Sequence, residues 1–154
     1  MIMKSKPINY YLFINSDQHN IYNKKVSGYS IANYRLKNNI YPLRDNTKHK
    51  NQLNVGDKYI FYLSGTKENC KTFISYGSIK EVTDICSYNE SSLNLINNYQ
   101  RFVKLDSNKI INFKKIIDLK DGLSFVPKKN NWGYVLQGGI VKINKNDYDL
   151  IVCN

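Results

Sequence analysis

Histidine is nearly missing from this chain. His19 and His49 are its two copies, and neither sits in an HExxH or His–Cys spacing that would hold zinc. The same scarcity argues against a Ser–His–acid triad. Glycine-rich phosphate loops are absent: there is no GxGxxG and no GxxxxGK(S/T), and Gly138-Gly139 is a lone pair suited to a turn. No serine lies in a GxSxG elbow. Glutamate occurs three times, as Glu68, Glu81 and Glu90, near expected loops or strand ends, with no evident carboxylate pair for acid–base work. Cysteine is odd in number, and Cys70, Cys86 and Cys153 form no CxxC, so we expect reduced thiols. No apolar run approaches the roughly 18 residues of a membrane span. The opening MIMKSKP lacks the apolar stretch of a secretion signal, and a cytoplasmic protein is expected.

Acid is scarce as well. Lysine and arginine total 23 against 12 acidic residues, a net charge of +11. Abundant Lys, Asn, Ile and Tyr fit AT-rich coding, but that pressure spares Asp and Glu codons, so the low acid count points to a basic surface. Basic proteins attract polyanions, phosphate backbones above all. Basic residues interleave with aromatics in KYIFY, YQRF and KKNNWGY. Aromatic faces stack on bases while lysines hold phosphates, although strand tyrosines also serve cross-strand packing.

The length of 154 residues fits one domain, 1–154, with an ordinary hydrophobic content of 42%. INYYLFIN (8–15) reads as a buried strand, with Asn15 or Ser16 positioned to cap a short helix through about Lys25. Residues 26–54 show no clear period and read as a long basic connection containing Arg35, Lys37, Arg44, Lys48, His49 and Lys50. NVGDKYIFYLSG (54–65) and KTFISYGSIKEV (71–82) read as strands joined hairpin-fashion. Residues 87–98 suggest a short polar helix with Leu93 and Ile96 inward. QRFVKLDSNKII (100–111) reads as another strand, and 113–126 is open between strand and helix. GGIVKI is a strand, after which Asn144 caps a helix with Asp147 in the capping position and Tyr148, Leu150 and Ile151 inward. The expected fold is α+β: a small curved mixed sheet or open barrel with flanking short helices.

The order of these pieces resembles the EVE domain family, within the PUA-like superfamily that also contains YTH readers of methylated adenine. The likeness spans nearly the whole chain. It rests on YYLFINS, on NNIYPLRDNTKHKNQLNVGDKYIFYLSG, on FISYGSIKEV, and on SFVPKKNNWGYVLQGGIVKI followed by NDYDLI. The resemblance implies a PUA-like fold and a concave pocket that admits an unpaired, often modified base. Carried over residue by residue, it places Tyr41 where relatives often have a tryptophan, as a stacking ring or as a loop aromatic folded onto the core. Asn15 and Ser16 present polar groups to the ligand or cap a helix, and Ser64 and Gly65 end the next strand at the same mouth. Tyr99 or Phe102 supplies a second ring. Trp132 covers the pocket or anchors the final loop. Arg44, Lys48, Lys50, Lys128 and Lys129 hold the nucleic-acid backbone, Lys128 and Lys129 otherwise forming a solvated turn.

The function implied is that of a non-catalytic reader of a flipped or unpaired, methylated base in DNA or RNA. It needs no cofactor or metal and works with a separate effector such as a nuclease. Two alternatives stand beside it. One is an RNA-binding accessory domain without base-modification specificity. The other is an ASCH-like small-molecule hydrolase, which requires a lysine–carboxylate pair at the pocket, such as Lys104 with Asp106 or Lys128 with Glu68.

Overall fold

The computed structural model describes residues 6–45, 47–65, 70–106, 108–126, 136 and 139–153. Trp132, Lys128, Lys129 and Glu68 lie outside the described residues.

The apolar run near the start forms β1 (Tyr10–Asn15). It lies parallel to β5 (Lys58–Leu63) and antiparallel to β9 (Ile140–Ile143), with Phe13 opposite both Phe61 and Ile140. Side chains alternate across a strand. Tyr11 and Phe13 join one core with Tyr59, Phe61 and Leu63, while Leu12 and Ile14 join a second core with Ile60 and Tyr62. Both faces are covered, which is why the run is continuously apolar rather than alternating.

β6 (Thr72–Thr83) is twice the length of its neighbours. It pairs antiparallel with β5 and β8 (Lys109–Lys115) over its first half, and with β7 (Arg101–Leu105) over its second. Register shifts at Phe61/Tyr62, Phe73/Ser75 and Ile79/Glu81 mark bulges, which bend a strand and increase its twist. The sheet order is β4-β7-β6-β5-β1-β9, with β4 spanning Ile40–Leu43 and β8 branching from β6. The result is the expected α+β curved mixed sheet with short flanking helices.

Helix α3 (Lys145–Val152) starts as its sequence requires: the Asn144 side chain accepts from Asp147 N–H at 2.8 Å. Asp147 does not complete the capping box. Its carboxylate instead accepts from Ser124 N–H and Ser124 Oγ at 2.9 and 2.5 Å. Residues 113–126 resolve into the end of β8, a helical turn α2 (Ile116–Leu119) and a 3₁₀ turn (Lys120–Gly122).

Four local expectations are corrected. Residues 100–111 form two strands, β7 and the start of β8, rather than one. No helix follows Asn15; β2 (Gln18–His19) and β3 (Lys25–Val26) pair as a small ribbon. The Asn20 side chain accepts from Tyr22 N–H and Lys24 N–H, and Asn23 takes a left-handed φ of 56°, so asparagine chemistry turns the chain. The connection 26–54 is not irregular throughout. It contains α1 (Gly28–Lys37), capped by Ser27 through Ser30 N–H at 3.1 Å, and then β4. The stretch 87–98 holds only a 3₁₀ turn (Ser91–Leu93), ended by left-handed Asn94. Leu95 is buried there and Ile96 is 80% exposed, opposite to the expected inward face.

Candidate functional site

A cleft of about 360 Å³ opens at the C-terminal end of β1. Its lining comes from Ile14, Ser16 and Gln18 after and within that strand end, Arg35 of α1, Tyr41 of β4, Arg44 and Tyr99. Asp17, Pro42, Thr47 and Gly139 complete the wall. Loops and strand ends thus converge on one mouth, a usual place for function on a rigid scaffold.

Arg35 occupies the floor and is 5% exposed. Its position follows from helix geometry: the buried positions of α1 are Gly28, Ile31, Ala32 and Arg35, one face at helical spacing. A buried guanidinium needs a counter-charge. Glu90, 2% exposed, supplies it by accepting Nε at 2.7 Å and Nη2 at 3.2 Å. Arg35 Nη1 donates to Asn15 Oδ1 at 3.0 Å and Nη2 to Tyr99 Oη at 3.2 Å. Glu90 also accepts from Tyr88 Oη at 2.6 Å and from Tyr99 Oη. Burial pushes the Glu90 carboxyl up, but Arg35 and the two phenols more than offset this and hold it below its ordinary value. Burial lowers the Arg35 value and Glu90 reverses this, so the guanidinium stays charged. Burial beside Glu90, partly opposed by Arg35, takes Tyr99 up to about 12.

Tyr41 is 2% exposed and forms part of the wall. Its ring stacks on Phe13 at 4.5 Å between centroids, and Arg35 Cζ lies 5.2 Å from the ring centre. Its hydroxyl sits 2.5 Å from Ile14 O and 2.9 Å from Gly139 O, with one proton to donate. Asn15 is fully buried: its Nδ2 donates to Phe13 O and Tyr62 O while its oxygen takes Arg35, so it positions the floor rather than facing the opening. Ser16 Oγ on the cleft wall is 2.5 Å from Ser64 Oγ, and Ser64 and Gly65 are not among the lining residues. Gly65, at φ +130°, passes beside Asp17, whose carboxylate oxygens would meet a Cβ there at 2.8 Å.

Phe102 does not line the cleft. It is buried and meets Tyr99 and Tyr88 edge-on, supporting them from behind. Of the basic residues, Arg44 lines the mouth and donates to Asn97 Oδ1 at 3.0 Å. Lys48 is exposed in the following turn, and Lys50 is paired with Asp45 at 2.7 Å. Sequence reasoning left out Arg35 as a floor residue, and with it Glu90, Asn97, Gln18 and Asp17. The helical spacing of Gly28, Ile31, Ala32 and Arg35 was the available clue to the first.

No protein-family model and no curated protein matches the sequence. Solved structures do. The YTH domain of Zygosaccharomyces rouxii MRB1, solved with N6-methyladenosine RNA, aligns over 99% of this chain and 90% of its own at a TM-score of 0.57 and 11% identity. The N-terminal domain of Staphylothermus marinus McrB aligns over 94% and 93% at 0.49 and 12%. Protein Atu2648 of Agrobacterium tumefaciens aligns over 93% and 90% at 0.49 and 10%. At such identity the first likeness is one of architecture: this chain has an α+β, PUA-like curved-sheet fold similar to that of a YTH domain.

Proposed function

We propose that the chain is a non-catalytic nucleic-acid-binding module that holds one flipped or unpaired, methylated base in the cleft at the end of β1. The observation that carries this reading is the cleft itself. Its volume of about 360 Å³ falls within the ~300–1,000 Å³ of small-ligand sites. Two tyrosines and a buried arginine form its walls, in a chain of net charge +11. Arg44 and Lys48 beside the mouth suit phosphates, which gives salt-dependent affinity. Freeing a base costs a few kcal/mol, and stacking on the half-buried Tyr99 would return about 1–3 kcal/mol, whereas Tyr41, 2% exposed with Phe13 stacked on its ring, has little surface left for a base.

For the non-catalytic reading, Lys104, one lysine weighed for a hydrolase pair, is engaged away from the cleft, whereas Asp17 on the cleft wall does have a lysine near it. Lys104 pairs with Glu81 at 3.5 Å across β6 and β7, away from the cleft. Lys25 is 3.9 Å from Asp17, and the Asp17 carboxylate also accepts Gly28 N–H at 2.8 Å. Any effector, such as a nuclease, acts as a separate partner in this reading.

The test is fluorescence-polarisation binding of short labelled DNA and RNA, unmodified or carrying a single methylated base, at two salt concentrations. The one tryptophan, Trp132, gives an intrinsic emission signal from a single side chain. Tighter binding of one methylated base, weakened by Arg44→Ala, is expected. Equal, steeply salt-dependent binding of all oligonucleotides reduces the protein to a basic surface. Absence of binding at low salt overturns the reading.

A further inference from the structure

The hydrogen bonds around the cleft have a fixed direction, and the direction starts at residues that can only donate. Arginine has five N–H donors and no acceptor. Arg44 Nη2 donates to Asn97 Oδ1 at 3.0 Å, which fixes the Asn97 amide with its nitrogen pointing the other way. Asn97 Nδ2 then donates to Tyr99 Oη at 2.8 Å and to Gln18 Oε1 at 3.1 Å. The Gln18 amide is thereby fixed too: its oxygen is taken, and its NH₂ is the end left for the cleft it lines.

The floor behaves the same way. Four of the five Arg35 N–H groups are used, by Glu90 twice, Asn15 and Tyr99. The fifth, on Nη1, has no partner among the described residues, and Arg35 is one of the residues that line the cleft. Tyr99 Oη gives its proton to Glu90 and accepts from Arg35 and Asn97, so its hydrogen-bonding capacity is spent. The Tyr41 proton goes to Ile14 O or Gly139 O, and Gly139 O already takes Ile14 N–H at 2.7 Å. Asp17, the carboxylate on the wall, is engaged by Gly28 N–H and faces Lys25. What Arg35 on the floor and Gln18 on the wall leave for a ligand is donors, while hydroxyls such as Ser16 and Thr47 can do either.

We propose that Arg35 and Gln18 make the cleft selective for a base with an oxo group on the edge far from the sugar, a 6-oxopurine or a 4-oxopyrimidine. Adenine and cytosine present an amino group there, with or without methylation, and set donor against donor. The arrangement accords with the general preference of arginine for guanine O6 and N7, where adenine is read by an amide offering both a donor and an acceptor. This inference rests on the cleft being a base pocket.

The experiment compares abasic single-stranded oligonucleotides that each carry one base. Hypoxanthine and adenine form the decisive pair, because they differ at the 6-substituent and the N1 proton that goes with it. Guanine, uracil, cytosine and N6-methyladenine extend the series. A hydrogen bond from a charged group predicts at least about tenfold tighter binding of hypoxanthine than of adenine. Gln18→Glu places an acceptor where the NH₂ group was and is expected to narrow or invert that ratio, a change that a purely structural role does not produce. Equal binding of the two bases, both tighter than an oligonucleotide that is abasic throughout, overturns the selectivity and leaves the base pocket standing, whereas binding no tighter than the fully abasic strand overturns both. Preference for adenine or N6-methyladenine overturns the selectivity as well. If no oligonucleotide binds, both readings fall.

Discussion

Replacing Glu90 by glutamine removes one negative charge and leaves the Arg35 guanidinium, 5% exposed, without its counter-ion. The pair is bidentate at 2.7 and 3.2 Å, and Glu90 also serves Tyr88 and Tyr99. Breaking a buried pair from one side costs about 3–5 kcal/mol, because the surviving charge stays desolvated. For a domain of this size each kcal/mol lowers the melting temperature by about 2–4 °C, so a fall of roughly 6–20 °C is expected. Urea denaturation followed by circular dichroism measures the free energy, and an unchanged m-value assigns the loss to the folded state. The Glu90 carboxyl is depressed in the folded chain, so its contribution is complete at neutral pH. That contribution fades as pH falls below the ordinary 4.5 and through the folded value. Glu90→Gln is therefore expected to lose part of the acid-unfolding limb. A loss under about 1 kcal/mol, the range of an exposed ion pair, refutes the reading of Arg35–Glu90 as a buried, desolvated pair.

Gly28→Ala would place a Cβ 2.6 Å from Asn15 O at the end of β1 and 3.2 Å from Ser64 O just after β5, both backbone atoms. Overpacking of about 1–3 kcal/mol is expected, read by thermal melting. Tyr41→Phe keeps the stack on Phe13 and removes the hydroxyl from Ile14 O and Gly139 O, for a loss of about 1–3 kcal/mol in urea unfolding. Arg44→Ala is expected to weaken every oligonucleotide, to lower the slope of log affinity against log salt by about 1 in a polarisation titration, and, by releasing the Asn97 amide, to narrow the difference between bases.

The strands were legible where the sequence carries its own periodicity or turn chemistry. Apart from Asn15 and Lys58, YYLFIN and KYIFYL are apolar or aromatic at every position because both faces of β1 and β5 are covered, and Asn144 with Asp147 marks α3 by composition alone. Helix α1 was hidden because its inward face ends in Arg35, a residue that pattern reading assigns to solvent. β4 was hidden by Pro42, which an edge strand tolerates and a central one does not. The cleft was half legible. Ser16, Tyr41, Arg44 and Tyr99 line it, whereas Asn15 and Phe102 support it from behind. The Arg35–Glu90 pair spans 55 positions, and no local pattern announces a partner that distant.

The position of β1 in the sheet has a consequence for synthesis. Tyr10 pairs with Lys58 on one side and with Ile143 on the other. At ribosomal rates of about 5–20 residues per second, the most apolar strand emerges roughly ten seconds before its second neighbour. Until then one edge of it stays open to any other chain with strand-forming sequence. Such long-range pairing also places folding toward the slow, milliseconds-to-seconds end of the scale. Production of this protein is therefore expected to depend on translation rate and chaperone supply more than its final stability suggests, with the yield of soluble chain set before β9 is made.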